Sequence, residues 1–137
     1  MDADRLAKLP LFEDLDHHDL KLVARWADEV DVPAGTSLVQ EGRFPHEFFV
    51  IEEGSAAVTH DGDTLAELGP GDFFGEIALL EHQRRTATVT TTSPTRLVVM
   101  HARDFVAMEE EMPDIAAQIR SVMEERRARS AAPVEEG

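Results

Sequence analysis

The sequence predicts a mainly β protein, a jelly roll or β-roll, with helices at both ends of the chain. Three observations support this prediction. Between residues 32 and 101, short segments of strand-forming residues alternate with turn signals at intervals of about eight to twelve residues. Residues 1–31 and residues 102–130 instead show helical patterns. Several short strands of even spacing favour a closed all-β architecture over a fold in which strands and helices alternate.

The N-terminal part, residues 1–31, is predicted to be helical. Asp16 has the chemistry of a helix N-cap, and the helix that follows it would carry Leu20 and Val23 on its buried side. Trp26, the only tryptophan of the chain, is interpreted as a packing anchor rather than as a lid over a ligand.

The central part, residues 32–101, is predicted to form the roll. Asp61-Gly62 is a strong signal for a tight hairpin, and Gly69-Pro70-Gly71 marks a further turn. The predicted strands are residues 36–40, 47–51, 55–59, 64–68, 86–91 and 95–100.

The C-terminal part, residues 102–130, is predicted to contain two helices, and residues 131–137 a flexible tail. Pro113 suits the first turn of the second helix, which carries one apolar stripe. The stripe consists of Ile115, Ile119, Val122 and Met123. Its simplest interpretation is packing against the roll of the same chain.

Composition and charge exclude several classes of function. The 137-residue chain has a net charge of −15, which disfavours nucleic acid and anionic membranes as partners. It has no cysteine, so disulfides, thiolate catalysis and cysteine-based zinc sites are excluded. The sequence shows neither a secretory pattern nor a membrane-spanning run, which predicts a cytoplasmic protein.

The sequence offers no sign of catalysis. No Gly-x-Ser-x-Gly motif is present, and the six histidines do not pair at the spacing expected for a metal site on a helix. We therefore predict a protein that is not an enzyme and that has neither a metal nor a cofactor.

The stretch from Gly71 to Val89 contains the most specific pattern. The short helical run that begins after Gly75 would direct free backbone amides at an anion. On the strand that follows, Arg85 shares the apolar face with Ala87, so it points inward and requires a partner. Glu76 can accept a hydrogen bond from a sugar hydroxyl.

These residues carry a resemblance to a known family. Phe74-Gly75-Glu76-Ile77-Ala78-Leu79-Leu80, followed by Arg85-Thr86-Ala87-Thr88-Val89, resembles the phosphate-binding cassette of the cyclic-nucleotide-binding domain. That family includes catabolite activator proteins, regulatory subunits of cyclic-AMP-dependent protein kinase and nucleotide-gated channels. The resemblance implies a single domain over residues 1–130, with the cassette at residues 71–89.

The same resemblance implies roles for individual residues. Arg85 would pair with the cyclic phosphate, and Glu76 would accept from the ribose 2′-hydroxyl. Gly75 would allow close approach of the backbone, and the amides of Ile77 and Ala78 would complete the phosphate cradle. The full set of predicted ligand-binding residues is Phe74, Gly75, Glu76, Ile77, Ala78, Arg85, Thr86 and Ala87.

The implied function is that of a stand-alone bacterial sensor of cyclic AMP (cAMP), in which the ligand shifts Phe73, Phe74 and Leu79 and thereby the C-terminal helix. Thr86 also fits a site for cyclic GMP (cGMP), so the identity of the nucleotide stays open. A nucleotide-independent protein-interaction scaffold is the alternative function. A downstream protein partner is implied but not identified, and the C-terminal helix could instead form a homodimer with its twin.

Overall fold

The computed structural model describes residues 2–40, 47–74 and 87–129. Its helices are α1 (Ala3–Leu6), a 3₁₀ helix (Pro10–Phe12), α2 (His17–Val23), α3 (Ala102–Glu111) and α4 (Pro113–Arg129). Its strands are β1 (Asp28–Val32), β2 (Ser37–Val39), β3 (Glu47–Glu53), β4 (Ala56–His60), β5 (Asp63–Leu68), β6 (Phe73–Phe74), β7 (Thr88–Thr91) and β8 (Thr95–His101).

The strands form two antiparallel sheets of four strands each. The first sheet has the order β1-β8-β3-β6, and the second has the order β2-β7-β4-β5. Strands that follow one another in the sequence are therefore often not adjacent in a sheet, because the chain passes repeatedly from one sheet to the other. This arrangement confirms the predicted mainly β fold with flanking helices.

The N-terminal helical part is shorter than the predicted range of residues 1–31. Helix α2 ends at Val23, and β1 already occupies Asp28–Val32 as the edge strand of the first sheet. Four of the five β1 residues are exposed, although polar and apolar residues alternate over Glu29-Val30-Asp31-Val32. The backbone pairing with β8 places β1 in the sheet, and this short alternation was too weak a signal to predict it.

Two local predictions are confirmed in detail. The Asp16 carboxylate accepts a hydrogen bond of 2.8 Å from the backbone N–H of Asp19, which caps α2. Asp61 and Gly62, which join β4 to β5, have φ angles of 51° and 84°. Positive φ at both central residues defines the type I′ hairpin that an Asp-Gly pair favours.

Two apolar cores lie on opposite faces of the first sheet. Strand alternation sends Phe48 and Val50 to one face and Phe49 and Ile51 to the other. The helical core joins the helices to the outer face and consists of Ala3, Leu6, Leu9, Leu11, Phe12, Leu15, Leu20, Val23, Ala24, Ala27, Phe48, Val50, Val98, Met100, Phe105, Met108, Ile115, Ala116 and Ile119. The roll interior lies between the sheets and consists of Val39, Phe49, Ile51, Ala56, Val58, Phe74, Ala87, Val89, Leu97 and Val99.

The apolar stripe of α4 packs within the chain. Ile115 and Ile119 are buried members of the helical core, and Val122 is half-buried against it. Trp26 also packs against this core, as the interpretation of a packing anchor requires. This part of the stripe therefore follows the simpler interpretation, in which it packs against its own chain. Within the described residues, no helix is long and apolar enough to cross a membrane.

Candidate ligand-binding site

The two ends of the cassette lie in the same apolar space. Phe74 on β6 pairs with Phe49 on β3, and their rings stack with centroids 5.0 Å apart and planes inclined by 17°. Ala87 lies just before β7. Both Phe74 and Ala87 are buried members of the roll interior. The described residues on both sides of the segment 75–86 thus belong to the same core.

A tight turn fixes where the cassette begins. The Asp72 N–H donates to the Gly69 carbonyl at 3.0 Å, Pro70 occupies the second position, and Gly71 has a φ of 89°. This is the pattern of a type II turn, whose third position requires positive φ. The turn is also held by β3, since the Gly71 N–H donates to the Ile51 carbonyl at 2.8 Å and the Ile51 N–H donates to the Asp72 carbonyl at 2.9 Å.

The two phenylalanines of β6 face opposite cores. Phe73 packs against the helical core, and its ring centroid lies 5.8 Å from that of Phe48. Phe74 faces the roll interior instead. Phe73 and Phe74 were both expected to transmit a ligand-induced shift to the C-terminal helix, and an expected contact with the last helices is wrong for Phe74, because consecutive strand residues point to opposite faces.

The other end of the cassette has the predicted strand alternation. Ala87, Val89 and Thr91 are buried, whereas Thr88 and Thr90 are half-buried. Thr91 closes this strand, since its hydroxyl donates to the Pro33 carbonyl at 2.8 Å and accepts from the Thr36 N–H at 2.9 Å. Odd-numbered residues of this segment thus face inward. The inward direction predicted for Arg85 assumes the same alternation.

Most of the predicted ligand-binding residues lie outside the described residues. These are Gly75, Glu76, Ile77, Ala78, Arg85 and Thr86. The same holds for Leu79, which was expected to relay the ligand to the helices. Their roles stay predictions from the sequence, and the structure locates only Phe74 and Ala87 among the eight residues.

A cluster of charged residues beside the turn was not anticipated from the sequence. The Arg5 guanidinium on α1 lies 3.0 Å from the Glu29 carboxylate on β1 and 3.8 Å from the Glu52 carboxylate on β3. The Glu52 side chain is only 7% exposed, although the residue directly follows the apolar run of β3. The sequence contains only a weak signal for the burial of Glu52, because a glutamate after an apolar run usually marks the end of a strand.

The environment of Glu52 raises its pKa to about 7. Burial is the largest cause, and a hydrogen bond and a charge repulsion from Glu29 act in the same direction. The positive charges of Arg5 and Arg96 oppose the shift. Among the described residues, the buried Glu52 Oε2 atom has no hydrogen-bond partner unless one of the two carboxyls is protonated.

A cavity of about 320 Å³ opens next to Glu52. It lies outside the roll interior, between the N-terminal helical segment, the end of β3 and the turn before the cassette. Its lining residues are Arg5, Lys8, Leu9, Pro10, Glu52, Glu53, Pro70 and Gly71. Within the described part of the chain, no group of three histidine, aspartate or glutamate residues is placed to hold a metal ion.

Comparison with known proteins gives a consistent result. The model of a family described as the cyclic nucleotide-binding domain matches residues 29–111. A cyclic nucleotide-gated potassium channel from Rhizobium etli is 36% identical over 122 residues, which cover 89% of this chain and 34% of the channel. A cAMP-dependent protein kinase regulatory subunit from Yarrowia lipolytica is 33% identical over 102 residues, which cover 73% of this chain and 27% of that protein.

A solved structure supports the same relationship. The catabolite activator protein of Thermus thermophilus matches with a TM-score of 0.75 and 28% sequence identity, over 89% of this chain and 59% of that chain. This chain spans only about a third of the length of the curated relatives that it matches.

Proposed function

Because this chain belongs to the cyclic nucleotide-binding domain family, we propose that it is a non-enzymatic cAMP sensor that signals through its C-terminal helix. The family match confirms the resemblance that the cassette residues predicted. In this proposal the cassette at residues 71–89 binds the cyclic phosphate and the ribose, and the helices report whether the site is filled.

The location of Phe74 and Ala87 carries the proposal. Both lie within the cassette, on either side of residues 75–86 in the sequence, and both belong to the same water-excluding roll interior. A charge pair formed there between Arg85 and a phosphate is stronger than the same pair in water, because the local dielectric constant is lower. Glu76 lies on the same segment and supplies an acceptor for the ribose.

The two curated relatives support a cyclic nucleotide as the ligand, since one is named as cyclic nucleotide-gated and the other as cAMP-dependent. We favour cAMP on the overall likeness of this chain to the activator-type domains. The Thr86 hydroxyl leaves cGMP as the alternative, because it can add a hydrogen bond to either nucleotide.

Phe73 offers a route from the site to the helices. It directly precedes Phe74 on β6 but packs against the helical core, which contains Ile115 and Ile119 of α4. A displacement of β6 on ligand binding would therefore reach the helices. The ligand can shift the helices only as far as its affinities for the two helix positions differ.

Isothermal titration of nucleotide-free protein with cAMP, cGMP and 5′-AMP tests the proposal. We expect micromolar or tighter binding of cAMP and no heat from 5′-AMP, which has a ribose and a phosphate but no cyclic diester. Preference for cGMP would revise the ligand and retain the sensor. Absence of binding and of any thermal shift with both cyclic nucleotides would favour the nucleotide-independent scaffold.

The downstream protein partner, a homodimer through the C-terminal helix and a cytoplasmic location stay predictions. The part of the α4 stripe that packs in the helical core is not accessible to a twin. A dimer would therefore have to use another face of this helix or its last turns.

A further inference from the structure

Glu52 is a buried carboxyl that the proposed ligand site does not use. Its side chain is 7% exposed, and its Oε2 atom has no hydrogen-bond partner among the described residues. An ionised oxygen in this position costs free energy, since neither water nor a donor compensates the loss of hydration. Addition of a proton removes the charge and allows a hydrogen bond to the neighbouring Glu29 carboxylate.

The group lies where three parts of the chain meet. Arg5 connects α1 to Glu29 on β1 and to Glu52 on β3. Ile51, the residue before Glu52, is joined by two backbone hydrogen bonds to the turn at residues 69–72. The same turn touches the N-terminal segment, because a Cβ atom at Gly71 would lie 3.3 Å from the ring of Pro10.

Charged side chains on several elements of the fold surround Glu52. The Arg96 guanidinium on β8 forms an ion pair of 2.8 Å with the Asp31 carboxylate on β1. This ion pair leaves Arg96 less available to Glu52. Arg5 is engaged more closely by Glu29 than by Glu52. Among the described residues, the charged groups around Glu52 are Arg5, Lys8, Glu29, Asp31, Glu53 and Arg96.

We propose that Glu52 forms a proton-controlled contact that holds the N-terminal helical segment on the roll beside the turn that precedes the cassette. With Glu52 protonated, the Glu29–Glu52 pair shares a hydrogen bond and Arg5 neutralises the remaining charge. With Glu52 ionised, the buried Glu52 carboxylate and the more exposed Glu29 carboxylate compete for Arg5, and the contact is weakened.

The pH range follows from the direction of the pKa shift. The folded protein binds a proton at Glu52 more tightly than the unfolded chain, since the pKa is raised from 4.5 to about 7. The contribution to stability is therefore fully present below the unfolded value and is lost as the pH rises through the folded value. Glu52→Gln, which stays neutral, should abolish this part of the pH dependence.

Thermal unfolding from pH 5 to pH 9 tests the contact. We expect the Tm of the wild type to fall relative to that of Glu52→Gln between about pH 5 and pH 7, and the difference to stay constant above this range. Glu53→Gln is the matched control, because it removes a neighbouring exposed carboxylate from the same strand and should leave the wild-type curve unchanged in shape. Parallel curves for wild type and Glu52→Gln would overturn the proposal.

A second variant keeps the test decisive if Glu52→Gln does not fold. Glu29→Gln removes the charge repulsion and supplies an amide donor to Glu52, so the fall in Tm should move to lower pH. An unchanged midpoint in Glu29→Gln would contradict a shared proton between these two carboxyls.

Discussion

Phe73 and Phe74 illustrate how two adjacent residues can serve different parts of one protein. Their rings lie on opposite faces of the first sheet, with Phe73 against the helical core and Phe74 in the roll interior. The strand that holds them is only two residues long, and it lies near the start of the cassette. Ligand affinity and the helix response should therefore depend on different members of this pair.

We predict that Phe74→Leu lowers cAMP affinity, because it removes the ring stacked on Phe49 at the start of the cassette. Phe73→Leu should leave affinity nearly unchanged and reduce the helix response to the ligand. Each change should cost about 1 kcal/mol of stability. Titration calorimetry measures affinity, and the change in hydrogen exchange of α4 upon ligand addition measures the helix response. Equal effects of both variants on both readouts would contradict separate roles.

The predicted role of Glu76 can be isolated with a modified ligand. We predict that Glu76→Gln weakens cAMP binding about tenfold by loss of a charge-assisted hydrogen bond to the 2′-hydroxyl. With 2′-deoxy-cAMP, which has no such hydroxyl, wild type and variant should bind almost equally. A tenfold loss with both ligands would show that Glu76 acts on the fold or the phosphate instead, and an unfolded variant would show a structural role.

Glu52 shows why part of the charged chemistry could not be predicted at the residue scale. Its charged neighbours Arg5 on α1 and Glu29 on β1 come from parts of the sequence far from β3, and the fold brings all three together. For Arg85, the alternation of the predicted strand favours an inward direction, and this stays a prediction. Residues 87–91 show that local periodicity predicts side-chain direction, whereas burial by a distant element leaves no local signal.

At the scale of elements, the sequence predicts the parts of the structure that are stabilised by interactions within one short segment. Asp16 caps α2 through its own side chain, and Asp61-Gly62 adopts the turn that its backbone preferences favour. By contrast, β1 was included in the helical part, which was expected to continue to residue 31. It is a strand because β8 pairs with it, and Val32 alone among its residues is partly buried.

The helix α4 provides a test of packing at this scale. Ile119 is 1% exposed in the helical core, so Ile119→Ala should lower the free energy of unfolding by about 3 kcal/mol. Val106→Ala on α3 is the control, since Val106 is 50% exposed and its truncation should change stability by less than about 0.5 kcal/mol. Urea unfolding measures both values. Loss of a dimer without loss of monomer stability in Ile119→Ala would instead place this residue at an interface between two copies.

At the scale of the whole molecule, the net charge opposes the binding of an anionic ligand, whereas the architecture favours it. The net charge of −15 repels any phosphate at long range, although salt screens this field over about 8 Å at physiological ionic strength. The roll interior excludes water at the ends of the cassette, so a single local positive charge gains strength there. Arg85 is the predicted source of that charge, and the affinity of the whole protein should depend on it.

The most direct test of this account is the cAMP affinity of Arg85→Ala measured beside that of Arg84→Ala, with thermal unfolding to verify that both variants fold. Both changes alter the net charge equally and differ only in the face of the predicted strand. We predict that Arg85→Ala costs about 3 kcal/mol, or more than a hundredfold in Kd, and that Arg84→Ala costs less than about 0.5 kcal/mol. Equal losses in two folded variants would contradict an inward Arg85 that pairs with the cyclic phosphate.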